Sequence, residues 1–275
     1  MHNEWAYRRL RKEFKTTIAD LKVNKYLLGD VVANRKNTVL YKEEDIIPIQ
    51  EPREERKAKV SLKKKQATEA AYDLACSHAE IAVMDFMGTD SPYENGKEFT
   101  WEAELCRCTT LFPCLCSDLV QQKFYQHNKS RGNSLGSGRA IYIPEVQLFA
   151  TESYRYPTRL PDEAFINVVG MAAPDMSRYQ VEMDGSTLKE IFRKRIERSF
   201  EIAYANGSVA ILTGAWGCGE SQCPSDIVAA AYAEALKKWQ YYFKEIVFTI
   251  NAFESSVEND KIYKDFEKSL KELIE

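Results

Sequence analysis

Ser208-Val-Ala-Ile-Leu-Thr213 runs directly into Gly214-Ala-Trp-Gly-Cys-Gly219, and Pro224, Ser225 and Asp226 then open an Ala-rich segment with apolar residues at helical spacing. The order is strand, glycine loop, helix. A short apolar, β-branched run suits a buried strand. Glycines let backbone amides come close to an anion, and the start of the following helix adds a partial positive charge. The stretch therefore predicts an α/β architecture with a seat for a diphosphate at a strand end. Its spacing matches neither the P-loop nor the dinucleotide fingerprint, and a plain tight turn would use the same residue types.

The chain has 275 residues, 44% of them hydrophobic, which is enough for a sizeable core. A formal net charge of -3 gives no basic field to recruit nucleic acid, so no direct nucleic-acid binding is expected. The basic clusters Lys63-Lys64-Lys65 and Arg193-Lys194-Arg195 have acidic neighbours and read as solvated faces. No apolar run approaches the ~20 residues of a membrane span. The polar start, Met1 to Trp5, has no apolar leader, so a cytoplasmic location is expected, with nuclear or host-cell placement left open.

Four of the seven cysteines, Cys106, Cys108, Cys114 and Cys116, form a C-x-C…C-x-C pattern. Structural zinc sites space their paired cysteines more widely, so buried free thiols are expected and no metal. The only histidines are His2, His78 and His127, which leaves acid–base chemistry to carboxylates.

Outward from the glycine loop, Trp5 to Lys22 has helical spacing (Leu10, Phe14, Ile18, Leu21), and Val31 to Tyr41 predicts a strand or hairpin. Glu51 to Lys59 reads as an exposed connection, with Val60 ending a short strand. Thr68 to His78 is an Ala-rich helix, and Ile81 to Phe86 a buried strand. Gly88 to Thr100 has no periodicity and reads as a functional loop. Trp101 to Gln126 reads as helix broken near Pro113, and the Gly/Ser-rich Lys129 to Gly138 as a mobile connection. Ile141 to Phe149 and Phe165 to Met171 read as strands. Leu188, Phe192, Ile196, Phe200 and Ala203 share a helix face, Ile227 to Lys238 is helical, Ile246 to Ile250 is the last strand, and Ile262 to Leu273 a closing helix. Alternating strands and helices predict a mixed or mostly parallel sheet covered on both faces.

Several blocks, in this order, resemble the macrodomain family of microbial-type poly(ADP-ribose) glycohydrolases. They are Arg8 to Glu13 with Thr16, Thr68-Glu-Ala-Ala71 with Leu74, Leu105-Cys106-Arg107 with Thr109 to Leu111, Ile141 to Val146, Ala172-Ala173-Pro174, Gly214 to Gly219, and Phe243 to Phe248. The resemblance implies a macrodomain-like three-layer α/β/α fold with a central mixed sheet. Residues 1–56 would be an accessory helix and extension, and 57–275 the core. It implies ADP-ribose or an ADP-ribosylated protein as partner and no cofactor. Gly214, Ala215, Trp216, Gly217, Cys218 and Gly219 would clasp the diphosphate. Asp85, Ser91 and Phe253 are further ligand-binding candidates, Phe253 for the adenine.

The departures from the family pattern fall in the catalytic loop. Ser91-Pro92 stands where Asn-Pro is expected, and Tyr93-Glu94-Asn95 replaces three glycines. Anchored on Leu105-Cys106-Arg107, the family's Gln-Glu-Glu positions are Trp101-Glu102-Ala103, so the second glutamate, the family's acid and base, is Ala103 here. Glu102 remains, and Glu104 lies one residue on, rotated by about 100° on a helix. These two are the catalytic candidates. Tyr93, Glu94 and Asn95 would add bulk and charge beside the anion seat. Three readings stay open: a diverged hydrolase of ADP-ribosylated substrates using loop carboxylates, an ADP-ribose-binding module without turnover, and an interaction protein on the same scaffold.

Overall fold

Strand β3 (Ile81–Met87) is buried along its length apart from the half-buried Phe86, and the other layers pack around it. Successive side chains point to opposite faces, so Ala82 and Met84 join one core while Ile81, Val83 and Met87 join the other. The computed structural model describes residues 4–52, 56–93, 97–152, 157–179, 183–250 and 257–274.

The sheet has seven strands in the order β1-β4-β5-β3-β6-β7-β2. These are β1 (Val39–Tyr41), β2 (Lys59–Lys64), β4 (Ala140–Glu152), β5 (Pro157–Ala172), β6 (Ala210–Gly214) and β7 (Glu245–Ile250). β5, β3, β6, β7 and β2 run parallel, while β4 is antiparallel to both β5 and β1. One face is covered by α8 (Gly185–Ala205), α9 (Ser225–Trp239) and α10 (Val257–Leu270). The other carries α2 (Lys25–Asn37), α3 (Ala67–Ser77), α4 (Trp101–Cys108) and α5 (Leu111–Leu115). The same layer continues through α6 (Asp118–Val120), a π-helical turn (Gln121–Tyr125) and α7 (Gln126–Ser130), and α1 (Glu4–Val23) lies against α2 and α4. This is the mixed-sheet, three-layer α/β/α fold expected from the sequence.

The local expectations fail where tertiary partners decide. Val31 to Tyr41 is not a hairpin: α2 reaches Asn37, and only Val39–Tyr41 is strand. Asn24 caps the helix by accepting from the Tyr26 and Leu27 amides, and Leu27, Val31 and Asn34 form a buried stripe that outweighs the β-propensity of paired valines. Asn34 also donates to the Pro144 and Glu145 carbonyls, holding the bulge in β4. Val60 does not end its strand but lies near the start of β2, the rim strand, with Lys59 and Lys64 exposed.

The break after α4 comes at Thr109 and Thr110, before Pro113. Thr109 Oγ1 accepts from the Leu111 amide, and Thr110 Oγ1 accepts from the Gln147 amide while donating to Asn34. Pro113 sits in the first turn of α5, where its missing N–H costs nothing. Lys129 to Gly138 is tied down: the Ser137 amide donates to Asn128, the Gly138 amide to Glu43, and the buried Arg195 to the Gly136 carbonyl. Among the described residues Arg195 donates to the Ala172 and Gly136 carbonyls alone, and burial lowers its pKa to about 10.

Cys106, Cys108 and Cys114 are buried free thiols, and Cys116 is exposed. Among the described residues no helix is long and apolar enough to cross a membrane, and no cluster of three His, Cys, Asp or Glu side chains could hold a metal ion.

Gly214 ends β6 where a Cβ would lie 2.7 Å from the Thr249 carbonyl and 2.8 Å from the Trp101 ring. The carbonyl belongs to β7 and cannot yield. Gly214→Ala is expected to destabilise the protein by about 2–3 kcal/mol, read as a lower urea midpoint at unchanged slope. A midpoint like that of the wild type would show that β6 and β7 separate freely here.

Candidate functional site

A cleft of about 980 Å³ opens around the carboxyl ends of β3, β6 and β7, where a parallel sheet places its ligand. Several segments wall it. The end of β3 and its loop supply Phe86, Gly88 and Ser91, α4 supplies Trp101 and Glu102, and the glycine loop supplies Ala215, Gly217 and Gly219. The segment after β5 adds Asp175 and Arg178, and α10 adds Asn259 and Ile262. Tyr7 of α1 reaches the same cleft.

The glycine loop divides its residues by parity. Trp216 and Cys218 are buried, and their amides are spent within the loop, on the Gly214 carbonyl at 2.9 Å and the Ala215 carbonyl at 3.1 Å. The Trp216 ring stacks on Phe86 at 5.5 Å and meets Phe192 edge-on, so it is core. Ala215, Gly217 and Gly219 line the cleft, and their amides have no acceptor among the described residues. Gly217 needs its lack of a side chain: its φ is +73°, and a Cβ would sit 3.1 Å from the Cys223 sulfur. Gly214 lies behind the loop rather than on the cleft wall.

Of the three residues that replace the glycines, Tyr93 is the one among the described residues, and it borders the cleft with its ring packed on α1. Tyr93 keeps a glycine-like backbone, φ +47°, and its ring lies flat against Phe14 of α1 at 3.6 Å. Burial pushes its phenol up to about 12, against the pull of Arg107. Glu94 and Asn95 lie outside the described residues, as do Asn251 and Phe253.

Of the two catalytic candidates, Glu102 stands on the cleft wall. Its Oε1 accepts from the Tyr93 amide at 2.8 Å and its Oε2 from the Gly88 amide at 3.2 Å. Ala103 is 1% exposed, and a methyl group offers no proton. Glu104 also borders the cleft but is committed elsewhere: one oxygen takes both the Thr68 amide and the Thr68 hydroxyl, each at 2.7 Å. Asp85 is 1% exposed, and neither of its oxygens is hydrogen-bonded among the described residues. Burial pushes its carboxyl well up, and the neighbouring Glu102 adds to the effect.

Arg107 was visible in the sequence only as part of a block. In the structure it is fully buried, paired with Glu152 at 2.6 Å, and it donates to the Glu98 carbonyl at 2.6 Å. Arg178 bridges Asp90 at 2.8 Å and Asp175 at 2.6 Å, joining the loop after β3 to the segment after β5. Tyr7 packs edge-on against Phe99 at 4.9 Å. Tyr7 and Arg178 carry no local sequence signal for the site, because Phe99 and Asp90 lie far along the chain.

Residues 15–151 match a family model described as the catalytic domain of microbial-type PARG. The poly(ADP-ribose) glycohydrolase of Thermomonospora curvata superposes with a TM-score of 0.83 at 18% identity, covering 95% of this chain and 99% of that one. The enzyme of Deinococcus radiodurans in complex with ADP-ribose gives 0.74 at 20% identity, over 88% of this chain and 98% of that one. Its apo form gives 0.72 at 20%, over 88% and 96%. A comparison with curated proteins found no match.

Burial holds the Glu104 carboxyl at about 7 instead of its ordinary 4.5, helped by the negative charge of Glu152 and opposed by Thr68 and Arg107. Between those values the folded protein keeps a proton that the unfolded chain has released, so this group's contribution to stability falls as pH rises through the window. Glu104→Gln keeps an acceptor for Thr68 and carries no charge. Its urea midpoint is expected to fall less than that of the wild type between roughly pH 5 and pH 8. Parallel profiles would show that Glu104 is ionised throughout.

Proposed function

Since residues 15–151 belong to the microbial-type PARG catalytic-domain family, we propose that the cleft binds ADP-ribose, free or attached to a protein. The observation that carries this reading is the set of unspent amides at Ala215, Gly217 and Gly219, all on the cleft wall. Amides without internal acceptors are costly unless water or a ligand takes them, and a diphosphate offers several acceptor oxygens to such a loop. The Deinococcus relative, of the same fold, was solved holding ADP-ribose. The cleft volume of about 980 Å³ is also large enough for a dinucleotide-sized ligand.

Recognition without efficient polymer cleavage is the form of this function that the loop supports. Breaking a ribose glycosidic bond needs one group to protonate the leaving oxygen and another to activate water. The position that the family resemblance assigns to both tasks is Ala103, buried and without a proton. Glu102 has each oxygen facing an amide donor, which holds it as an acceptor for ligand hydroxyls. A second reading, slow hydrolysis of an ADP-ribosyl bond with Glu102 as its base, has in its favour that Glu102 lies on the cleft wall.

Gly219 is the position for a clean test, because a Cβ there meets nothing within 4 Å and the residue lines the cleft. Calorimetry is expected to show saturable ADP-ribose binding by the wild type and none by Gly219→Trp, with the melting temperature unchanged. Equal affinity in the two proteins would move the anion seat away from the glycine loop. Incubation of the wild type with poly(ADP-ribose) is expected to release no free ADP-ribose above background. Release that Glu102→Gln abolishes would establish the hydrolase reading instead.

A further inference from the structure

We propose that Tyr93 is a positioning residue whose ring, clamped by α1, holds its own amide on Glu102 and so fixes the carboxylate that faces the ligand. This role presupposes the ADP-ribose reading of the cleft and adds to it the element that sets the geometry of the site.

Tyr93 has φ +47°, in the left-handed region that favours glycine. A tyrosine persists there only if its surroundings hold it. Its ring is parallel to Phe14 at 3.6 Å and 9°, and edge-on to Phe112 of α5 at 6.4 Å and 81°. Phe14 and Phe112 are themselves edge-on at 4.8 Å, so the three rings form one cluster. On the backbone side, the Tyr93 amide donates to Glu102 Oε1 at 2.8 Å, and the Gly88 amide takes Oε2 at 3.2 Å. Both ends of the loop segment from Gly88 to Tyr93 are thus pinned to one carboxylate.

The anchor belongs to a larger grip. On one face of α1, Tyr7 packs on Phe99 at 4.9 Å, Arg11 pairs with Glu98 at 2.5 Å, Phe14 stacks on Tyr93, and the Thr17 hydroxyl donates to the Arg107 carbonyl at 2.7 Å. These positions follow one another at intervals of three and four, the spacing of neighbours on a helix face. The loop beside the cleft is therefore carried by the accessory helix. A chain with glycine at position 93 would have a less strained backbone and nothing to clamp.

The test pairs a structural readout with a binding one, on wild type, Tyr93→Phe, Tyr93→Gly and Phe14→Ala, each checked by thermal melt. Amide exchange at Gly88 is expected to accelerate about tenfold or more in Tyr93→Gly and Phe14→Ala and to stay slow in Tyr93→Phe, because loss of the clamp frees the segment. Affinity for ADP-ribose is expected to fall about tenfold in the same two variants through lost preorganisation. Affinity for adenosine monophosphate, which lacks the second ribose, is expected to hold.

Slow Gly88 exchange in both Phe14→Ala and Tyr93→Gly would overturn the proposal, as would ADP-ribose affinity in Tyr93→Gly equal to or above that of the wild type. So would a proportional loss of both ligands, which would make Tyr93 a general support of the fold. Should Tyr93→Gly not fold, Phe14→Ala against Tyr93→Phe decides. A wild type that binds no ADP-ribose would sink the proposed function, and the exchange arm would still decide the role of Tyr93.

Discussion

A guanidinium taken out of water must have its charge met inside the protein, and Arg107 is the buried charge around which the site is arranged. Glu152, from the end of β4, supplies the carboxylate, and the Glu98 carbonyl supplies a further acceptor. The Glu152 amide donates to the Thr68 hydroxyl, which donates in turn to Glu104. Removing one partner from such a pair commonly costs about 3–5 kcal/mol, because the other is left as a lone buried charge. The pair therefore ties four elements in place: α4, the start of α3, the β4 strand end and the loop before α4. It also explains why Glu104 does not stand in for the missing glutamate at 103. Glu104 is already engaged with Thr68, on the side of the helix that faces this network.

The glycine loop meets a different constraint. A tight turn must satisfy its own amides, and an anion seat must leave some unsatisfied. Here the two needs are met by different residues. The interior pair, Trp216 and Cys218, closes the turn and packs into the core, while Ala215, Gly217 and Gly219 face the cleft. The Trp216 ring against Phe86 makes the floor of the loop rigid, so the outward amides have fixed positions. Preorganised donors of this kind suit a ligand whose charge lies on several oxygens.

Much of the architecture was legible because it is written in short-range pattern. The strand–loop–helix run at Ser208, the apolar β3 run and the helical stripe from Leu188 to Ala203 all sit where their periodicity predicts. The failures have one cause, which is partners distant in sequence. Val31 reads as strand until the Asn24 cap and the burial of Asn34 against β4 are known. Lys129 to Gly138 reads as mobile until Arg195, Glu43 and Asn128 are seen to hold it. In the site, the glycine loop and Glu102 were visible as motif residues. Tyr7, Glu152 and Arg178 were not, since each matters through a contact dozens of residues away. Phe14 was counted as an ordinary residue of an apolar helix face. The helical spacing that flagged it was correct, but nothing local marks Tyr93 as its partner.

The rim of the sheet has a consequence for how copies of this chain meet one another. Among the described residues, β2 has β7 on one side and on the other a single parallel bridge from Val60 to Ile274. A row of open main-chain groups like this is a template for strand addition and for aggregation. Lys59 and Lys64 stand exposed along that strand, with Lys63 half-buried between them. Docking a second β2 against the first would bring like charges face to face, and Ile274 already occupies part of the row. Lysine at the border and the bridge to Ile274 thus act as a guard against edge-to-edge association, independent of anything that happens in the cleft.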